Sequence, residues 1–159
     1  VHAHDPFLPA ELWPEGTIRE PDLAQALAGA DAVSLHLPRA DRAVLGAAEL
    51  ALMKPTAVVV NTASGGLLDE VALADALRAD RLGGAGIEVF EVEPPAGDHP
   101  LFGLPQVVLT PHNAALTVEC AERMALASVQ NVLDFFAGTL DPALIVNRAA
   151  LGGVKEPAK

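Results

Sequence analysis

Two side chains in this sequence have the types and spacing to pass a proton between them and a ligand. His112 closes the segment Val107-Val108-Leu109-Thr110-Pro111-His112, an apolar run that ends in polar residues. Glu93 lies in the acidic, proline-rich stretch that precedes it. An imidazolium beside a carbonyl can give a proton to the oxygen, and the neutral ring can take one back. A carboxylate on the other ring nitrogen fixes the tautomer and raises the imidazole pKa. Taken alone, a histidine after Thr-Pro is more often structural than catalytic. His2, His4 and His99 lack a partner motif and read as surface or loop packing.

The second chemical feature is Val58–Glu70, VVVNTASGGLLDE. A β-branched apolar run passes into small polar residues and a Gly-Gly pair, then opens a helix. That is a strand delivering its carboxyl end, with Thr62, Ala63 and Ser64, into a cleft, and open parallel sheets bind ligands at that edge. Gly65 and Gly66 let backbone approach a ligand closely, although such pairs are also routine in plain strand-to-helix turns. Asp69 and Glu70 suit the positive end of the helix dipole. His36, at the end of another apolar strand, reads by type as a structural histidine. Glu88, within GIEVF, would be an expensive burial without a role.

The elements that must hold these residues alternate between strand and helix. Strands are expected over residues 1–4, 32–37, 57–63, 85–90, 107–109 and 143–147. Helices are expected over 22–28, 47–53, 69–81 and 117–137, the last stopped by Gly138. In the 69–81 helix, Val71, Leu73, Ala74 and Leu77 form the apolar side. Residues 5–16 and 91–105 read as proline-rich loops, with Phe7 and Trp13 packing locally in the first. The alternation predicts an α/β fold with a parallel sheet and helices on both faces. The near-continuous apolar strands agree with that arrangement.

At 159 residues and 51% hydrophobic, the chain can bury one good-sized core. A net charge of −11 argues against nucleic acid as a partner. No apolar run reaches the ~18–20 residues that span a bilayer, no signal peptide is visible, and no metal site is expected. The lone Cys120 excludes an internal disulfide, suits a reducing cytoplasm and reads as a small buried apolar residue. The start at Val1, without Met, suggests a fragment.

The ordered motifs carry a family resemblance. Asn61-Thr62-Ala63-Ser64-Gly65-Gly66-Leu67-Leu68-Asp69-Glu70, Glu88-Val89-Phe90-Glu91-Val92-Glu93-Pro94 and Leu109-Thr110-Pro111-His112 resemble the signatures of the D-isomer-specific 2-hydroxyacid dehydrogenases. Ser34-Leu35-His36-Leu37-Pro38 and Leu52-Met53-Lys54-Pro55 support it. The resemblance runs from about Val1 to Asn147. It implies a doubly wound parallel (Rossmann-like) sheet, incomplete at its N-terminal side. Residues 1–115 would form a partial nucleotide-binding domain, 116–148 a C-terminal return helix and segment of the substrate domain, and 149–159 a frayed tail.

A G-x-G-x-x-G turn is absent, and Gly83-Gly84-Ala85-Gly86 does not replace it, because it precedes a strand. In the strand order 3-2-1-4-5-6 the missing first strand is central. The strands at 1–4 and 32–37 would then have no common neighbour.

The implied activity is that of a cytoplasmic, homodimeric, NAD-dependent oxidoreductase that acts on CH–OH groups and interconverts D-2-hydroxy and 2-keto acids. His112 would be the acid/base and Glu93 its partner. Asp5, with Pro6, would read the adenosine ribose. No Arg or Lys lies near Asp5 to meet a 2′-phosphate, which favours NAD; the alternative for Asp5 is a turn-forming residue. His36, Leu37 and Pro38 would line the adenosine side. Thr62, Ala63 and Ser64 would face nicotinamide and substrate. Glu88, usually aspartate in the family, would meet the nicotinamide side, and His112 and Ala114 would complete the cofactor floor. Ser64 stands where the family has an arginine that grips the substrate carboxylate. Arg39 and Arg42 lie on a different loop and are not obvious substitutes. Two readings follow: an impaired dehydrogenase, or a non-catalytic NAD-sensing or interaction module on the same scaffold.

Overall fold

The structure is a computed structural model that describes residues 1–148. The expected tail, 149–159, lies outside the described residues. The chain divides into two compact units, Val1–Ala114 and Ala115 onward.

In the first unit a four-stranded parallel sheet runs in the order β3-β4-β5-β6, with β3 at Ala32–Leu35, β4 at Val58–Asn61, β5 at Gly84–Ile87 and β6 at Val107–Leu109. A separate parallel pair joins β1, His2–Ala3, to β2, Ile18–Arg19. The short β2 was not expected from sequence. Both its residues are exposed, so it has no apolar pattern to read, and it is held by backbone bonds such as Ile18 N–H to the Val1 carbonyl at 3.0 Å.

Helix α1, Leu23–Gly29, begins where Asp22 accepts a hydrogen bond from the Gln25 N–H. Helix α2 spans Ala47–Leu50, and α3, Glu70–Arg78, is capped by Asp69 through the Ala72 N–H. Strand order never reverses across β3-α2-β4-α3-β5. Right-handed crossovers in one direction place their helices on one face, and α2 packs on α3.

Burial follows the register. Val59, Asn61, Ala85 and Ile87 are buried with Leu50, Leu73 and Leu77 in one core, whereas alternate residues Val58 and Val108 are open to solvent. Val71 is also exposed, contrary to its expected place on the apolar side of α3. It lies about 200° round the helix from Leu73. Phe7 is exposed rather than packed, while Trp13 is half-buried under Arg19 and donates from Nε1 to the Leu8 carbonyl at 3.3 Å.

In the second unit Thr117 caps α4, Val118–Ala137, and Gly138, at φ 73°, ends it. No residue of α4 is buried, and Cys120 is half-buried rather than buried. The strand expected at 143–147 is instead a 3-10 turn, Pro142–Leu144. Asp141 accepts there from the Ala143 N–H, and Pro142, which cannot donate, opens the turn. No helix among the described residues is long and apolar enough to cross a membrane.

Candidate active site

Leu35, Asn61, Ile87 and Leu109 are paired in register. Each is the last paired residue of its strand, and the residues that follow are His36, Thr62, Glu88 and Thr110. They continue the same row across strands about 4.8 Å apart. All four are polar, so the sheet changes from apolar to hydrogen-bonding character at its carboxyl edge, where parallel sheets meet ligands.

Asn61 shapes the turn that leaves β4. It is 2% exposed, its Oδ1 accepts from the Ala63 N–H at 3.1 Å, and its Nδ2 donates to the Ser64 carbonyl at 3.0 Å. Gly66 has φ 81°, and Gly65 lies flat against the next strand's exit. A Cβ on Gly65 would sit 1.9 Å from the Phe90 carbonyl oxygen. The obstacle is backbone, so it cannot swing aside. Gly65→Ala is therefore expected to lower stability by about 3 kcal/mol or more, the upper end for overpacking or beyond it. Urea unfolding measures this, and an unchanged midpoint would contradict the packing.

Glu70 anchors the following loop. Its Oε1 accepts from the Glu91 N–H at 2.8 Å, and its Oε2 meets His99 Nε2 at 2.9 Å. His99 Nδ1 accepts from the Leu101 N–H at 3.4 Å, which leaves the proton on Nε2. The ring stands edge-on to Phe90 at 5.2 Å. His99 thus has an acidic partner that local spacing did not reveal, because the partner lies on α3.

His112 is held from both sides. Glu88, 5% exposed, accepts from the Thr110 hydroxyl on one oxygen and from the Ala114 N–H on the other. Its burial is explained: the carboxylate ties β5 to the turn that carries His112. His112 itself has φ 54°, a left-handed conformation that costs about 1 kcal/mol or more outside glycine. Its Nδ1 meets Glu93 Oε2 at 2.8 Å, and Glu93 Oε1 accepts from the Phe90 N–H at 3.0 Å. With Nδ1 engaged, Nε2 is the nitrogen left to face a reacting group.

The hydrogen bond from His112, then that from Phe90, holds the Glu93 carboxyl below its ordinary range. Glu93, by hydrogen bond and charge, raises the His112 pKa above its ordinary value of 6.5, with a smaller contribution from the Glu88 charge. The ion pair therefore contributes fully between the ordinary values of 4.5 and 6.5. It is lost as pH rises through the raised His112 pKa or falls through the lowered Glu93 pKa. Removing the charge with Glu93→Gln is expected to move His112 titration toward lower pH. Ring-proton NMR against pH checks this, and an unmoved titration would remove Glu93 as the cause.

Two hollows flank this pair and share Phe90, Glu93 and His112. One, of about 410 Å³, is bounded also by Glu88, Phe102, Leu109 and Thr110. The other, of about 300 Å³, is bounded also by Arg39, Ala63, Ser64, Gly65 and Glu91. The structure thus brings Ser64, Ala63, Glu93 and His112 together, with Glu88 beside them. It also corrects the expectation for Arg39, which reaches the same hollow as Ser64 although it starts from a different loop.

The remaining expected residues lie away from both hollows. Asp5 Oδ1 accepts from the Phe7 and Leu8 N–H groups at 2.8 and 3.1 Å, so it does form a turn. Its other oxygen makes no hydrogen bond among the described residues. His36 is exposed and bonds Ser34 Oγ at 2.8 Å, rather than filling a structural site. Leu37 packs against the core, and Pro6, Pro38, Thr62 and Ala114 are exposed. Among the described residues no cluster of His, Cys, Asp and Glu could hold a metal.

Residues 1–114 match the family described as D-isomer specific 2-hydroxyacid dehydrogenase, NAD binding domain. The chain is 45% identical over 135 residues to the (S)-sulfolactate dehydrogenase of Chromohalobacter salexigens, covering 83% of this chain and 44% of that protein. It is 42% identical over 137 residues to the glyoxylate reductase of Aeropyrum pernix, covering 85% and 40%. A crystal structure of a protein from Thermus thermophilus matches with a TM-score of 0.81 at 37% identity, covering 89% of this chain and 44% of that one. The chain spans less than half the length of these relatives.

Proposed function

Because the chain belongs to the D-isomer-specific 2-hydroxyacid dehydrogenase family, we propose that it is the nucleotide-binding part of an oxidoreductase that interconverts a D-2-hydroxy acid and a 2-keto acid. The observation that carries this reading is the Glu93–His112 pair at 2.8 Å, which engages Nδ1 and leaves Nε2 unpaired, on a residue that bounds the same hollow as Ser64. His112, whose charged form Glu93 favours, donates its Nε2 proton to the carbonyl oxygen during reduction and takes it back during oxidation. Glu93 keeps the ring's tautomer and stabilises the charged form. Glu88 keeps the turn in place.

The residues fit NAD at two points. A row of polar side chains stands at the carboxyl edge of a parallel sheet, and Asp5 keeps one carboxylate oxygen for the ribose hydroxyls after closing its turn. Asp5 with Pro6, and His36, Leu37 and Pro38, would hold the adenosine side. Thr62, Ala63, Ser64, Glu88, His112 and Ala114 would hold the nicotinamide side. When bound, NADH supplies the hydride that reduces the carbonyl carbon.

Residues 1–115 are assigned to the nucleotide domain and 116–148 to the return helix and substrate domain. The intact protein is proposed to be a cytoplasmic homodimer joined through the nucleotide domain, acting on a small 2-keto or 2-hydroxy acid. The names of its relatives, a sulfolactate dehydrogenase and a glyoxylate reductase, suit that substrate class. With Ser64 in place of the carboxylate-gripping arginine, turnover is expected to be weak. Ser64 is also the observation that favours the second reading, a non-catalytic NAD-sensing or interaction module.

Titration with NADH, followed by fluorescence and heat, tests the proposal. Saturable binding with slow oxidation of NADH by glyoxylate supports it. Binding without turnover supports the sensing module, and no binding up to millimolar NADH overturns both.

A further inference from the structure

We propose that Arg39 is the cation that holds the substrate's carboxylate in this chain, in place of the arginine that Ser64 has displaced. The proposal rests on the dehydrogenase reading above and names the group that anchors its substrate. Three observations carry it. Arg39 bounds the same hollow of about 300 Å³ as Ser64 and His112, so a small 2-oxo acid between them would reach both the proton donor and the guanidinium. The Arg39 guanidinium reaches the β4–α3 turn, with Nη2 3.9 Å from the position a Cβ would take on Gly66. Among the described residues no carboxylate lies within 4.0 Å of it, so its charge and donors are free.

The loop's path explains the reach. Val44 and Leu45 both donate backbone hydrogen bonds to the Leu67 carbonyl, at 2.8 and 3.1 Å, and the Asp69 N–H returns one to Leu45 at 2.9 Å. Leu45 and Leu67 are fully buried. The far end of the loop is thereby fastened to the turn that bears Ser64, and Arg39 is folded back over Gly66. Glu93 carries a negative charge on this rim, but its carboxylate is engaged by His112 at 2.8 Å. Glu91 is exposed there, and it disfavours an anion held by backbone alone. A guanidinium answers both demands, since its planar fork of donors matches a carboxylate.

The test uses oxamate, a stable carboxylate-bearing mimic of a 2-oxo acid, and its neutral counterpart oxamide. Both are titrated by calorimetry into the full chain with NADH present. Wild type is expected to bind oxamate and not oxamide. R39Q is expected to weaken oxamate by about 10- to 100-fold, the loss of one charge-assisted contact or two. Its melting temperature should not change, because the side chain is exposed and unpaired. R39K should recover part of the affinity, and S64R in the R39Q background should recover most of it. R39Q binding oxamate as wild type does, or wild type failing to prefer oxamate to oxamide, would overturn the proposal.

Oxamate is also titrated without NADH, following the His112 ring signals. If NADH does not bind while oxamate binding still depends on Arg39, the dehydrogenase reading falls and the anion site stands. If NADH binds and oxamate ignores Arg39, the anion site falls and the dehydrogenase reading stands.

Discussion

With Arg39 first replaced by Gln, so that no other cation holds the carboxylate, the Ser64→Arg exchange is expected to raise the efficiency with which a small 2-oxo acid is reduced by NADH by about 10² to 10⁴. The estimate follows from two charge-assisted hydrogen bonds at about 1.5–3 kcal/mol each, converted at about 1.4 kcal/mol per decade. Ser64 is half-buried at the rim of the hollow that contains His112, so a longer side chain there has open space ahead of it. Asn61 fixes the turn through the Ser64 carbonyl and the Ala63 N–H, not through the Ser64 hydroxyl, so the exchange leaves the turn's own bonds in place. Steady-state kcat/KM measures the gain. A gain confined to KM would mean that the new cation binds substrate and transition state alike. No gain, with NADH still bound, would favour the non-catalytic module.

Removing the imidazole is expected to act in the opposite direction and through chemistry alone. His112→Asn should lower kcat by about 10² to 10⁴, the usual contribution of a positioned general acid. Asparagine is chosen because it tolerates the left-handed backbone that His112 adopts at φ 54°. The Glu88 bonds to Thr110 and Ala114 do not involve the histidine side chain and should persist. The melting temperature should therefore fall only by the little that an exposed ion pair supplies, while turnover collapses. Retained turnover would show that another group supplies the proton. A collapse of both would show that the Glu93–His112 pair is a structural brace.

Much of the frame could be read from residue order. Apolar runs located the four strands of the main sheet, and Asp22, Asp69, Thr117 and Gly138 marked helix ends where side-chain or left-handed caps now stand. The His112 and Glu93 positions were legible because residue type, strand end and family motif pointed to the same place. What escaped was set by contacts between distant segments. Arg39 looked remote from Ser64 until the Leu45–Leu67 backbone bonds brought its loop home. His99 looked partnerless because Glu70 reaches it from another element. Strand β2 escaped for a different reason: two exposed residues have no hydrophobic period, and only backbone pairing defines them.

The row formed by His36, Thr62, Glu88 and Thr110 has a genetic consequence. Each member owes its place to being the first residue after a strand of fixed register. Substituting one letter within a strand leaves the other three where they are. Deleting or inserting a single codon inside β3, β4 or β5 shifts that strand's contribution by one place and turns its side chains to the opposite face. Descent can therefore retune this edge by exchanging residues, while changes of length should be confined to the loops between strands. A scan of single-codon deletions across residues 32–35, 58–61 and 84–87, compared with point substitutions at the same positions, should separate the two kinds of variation cleanly.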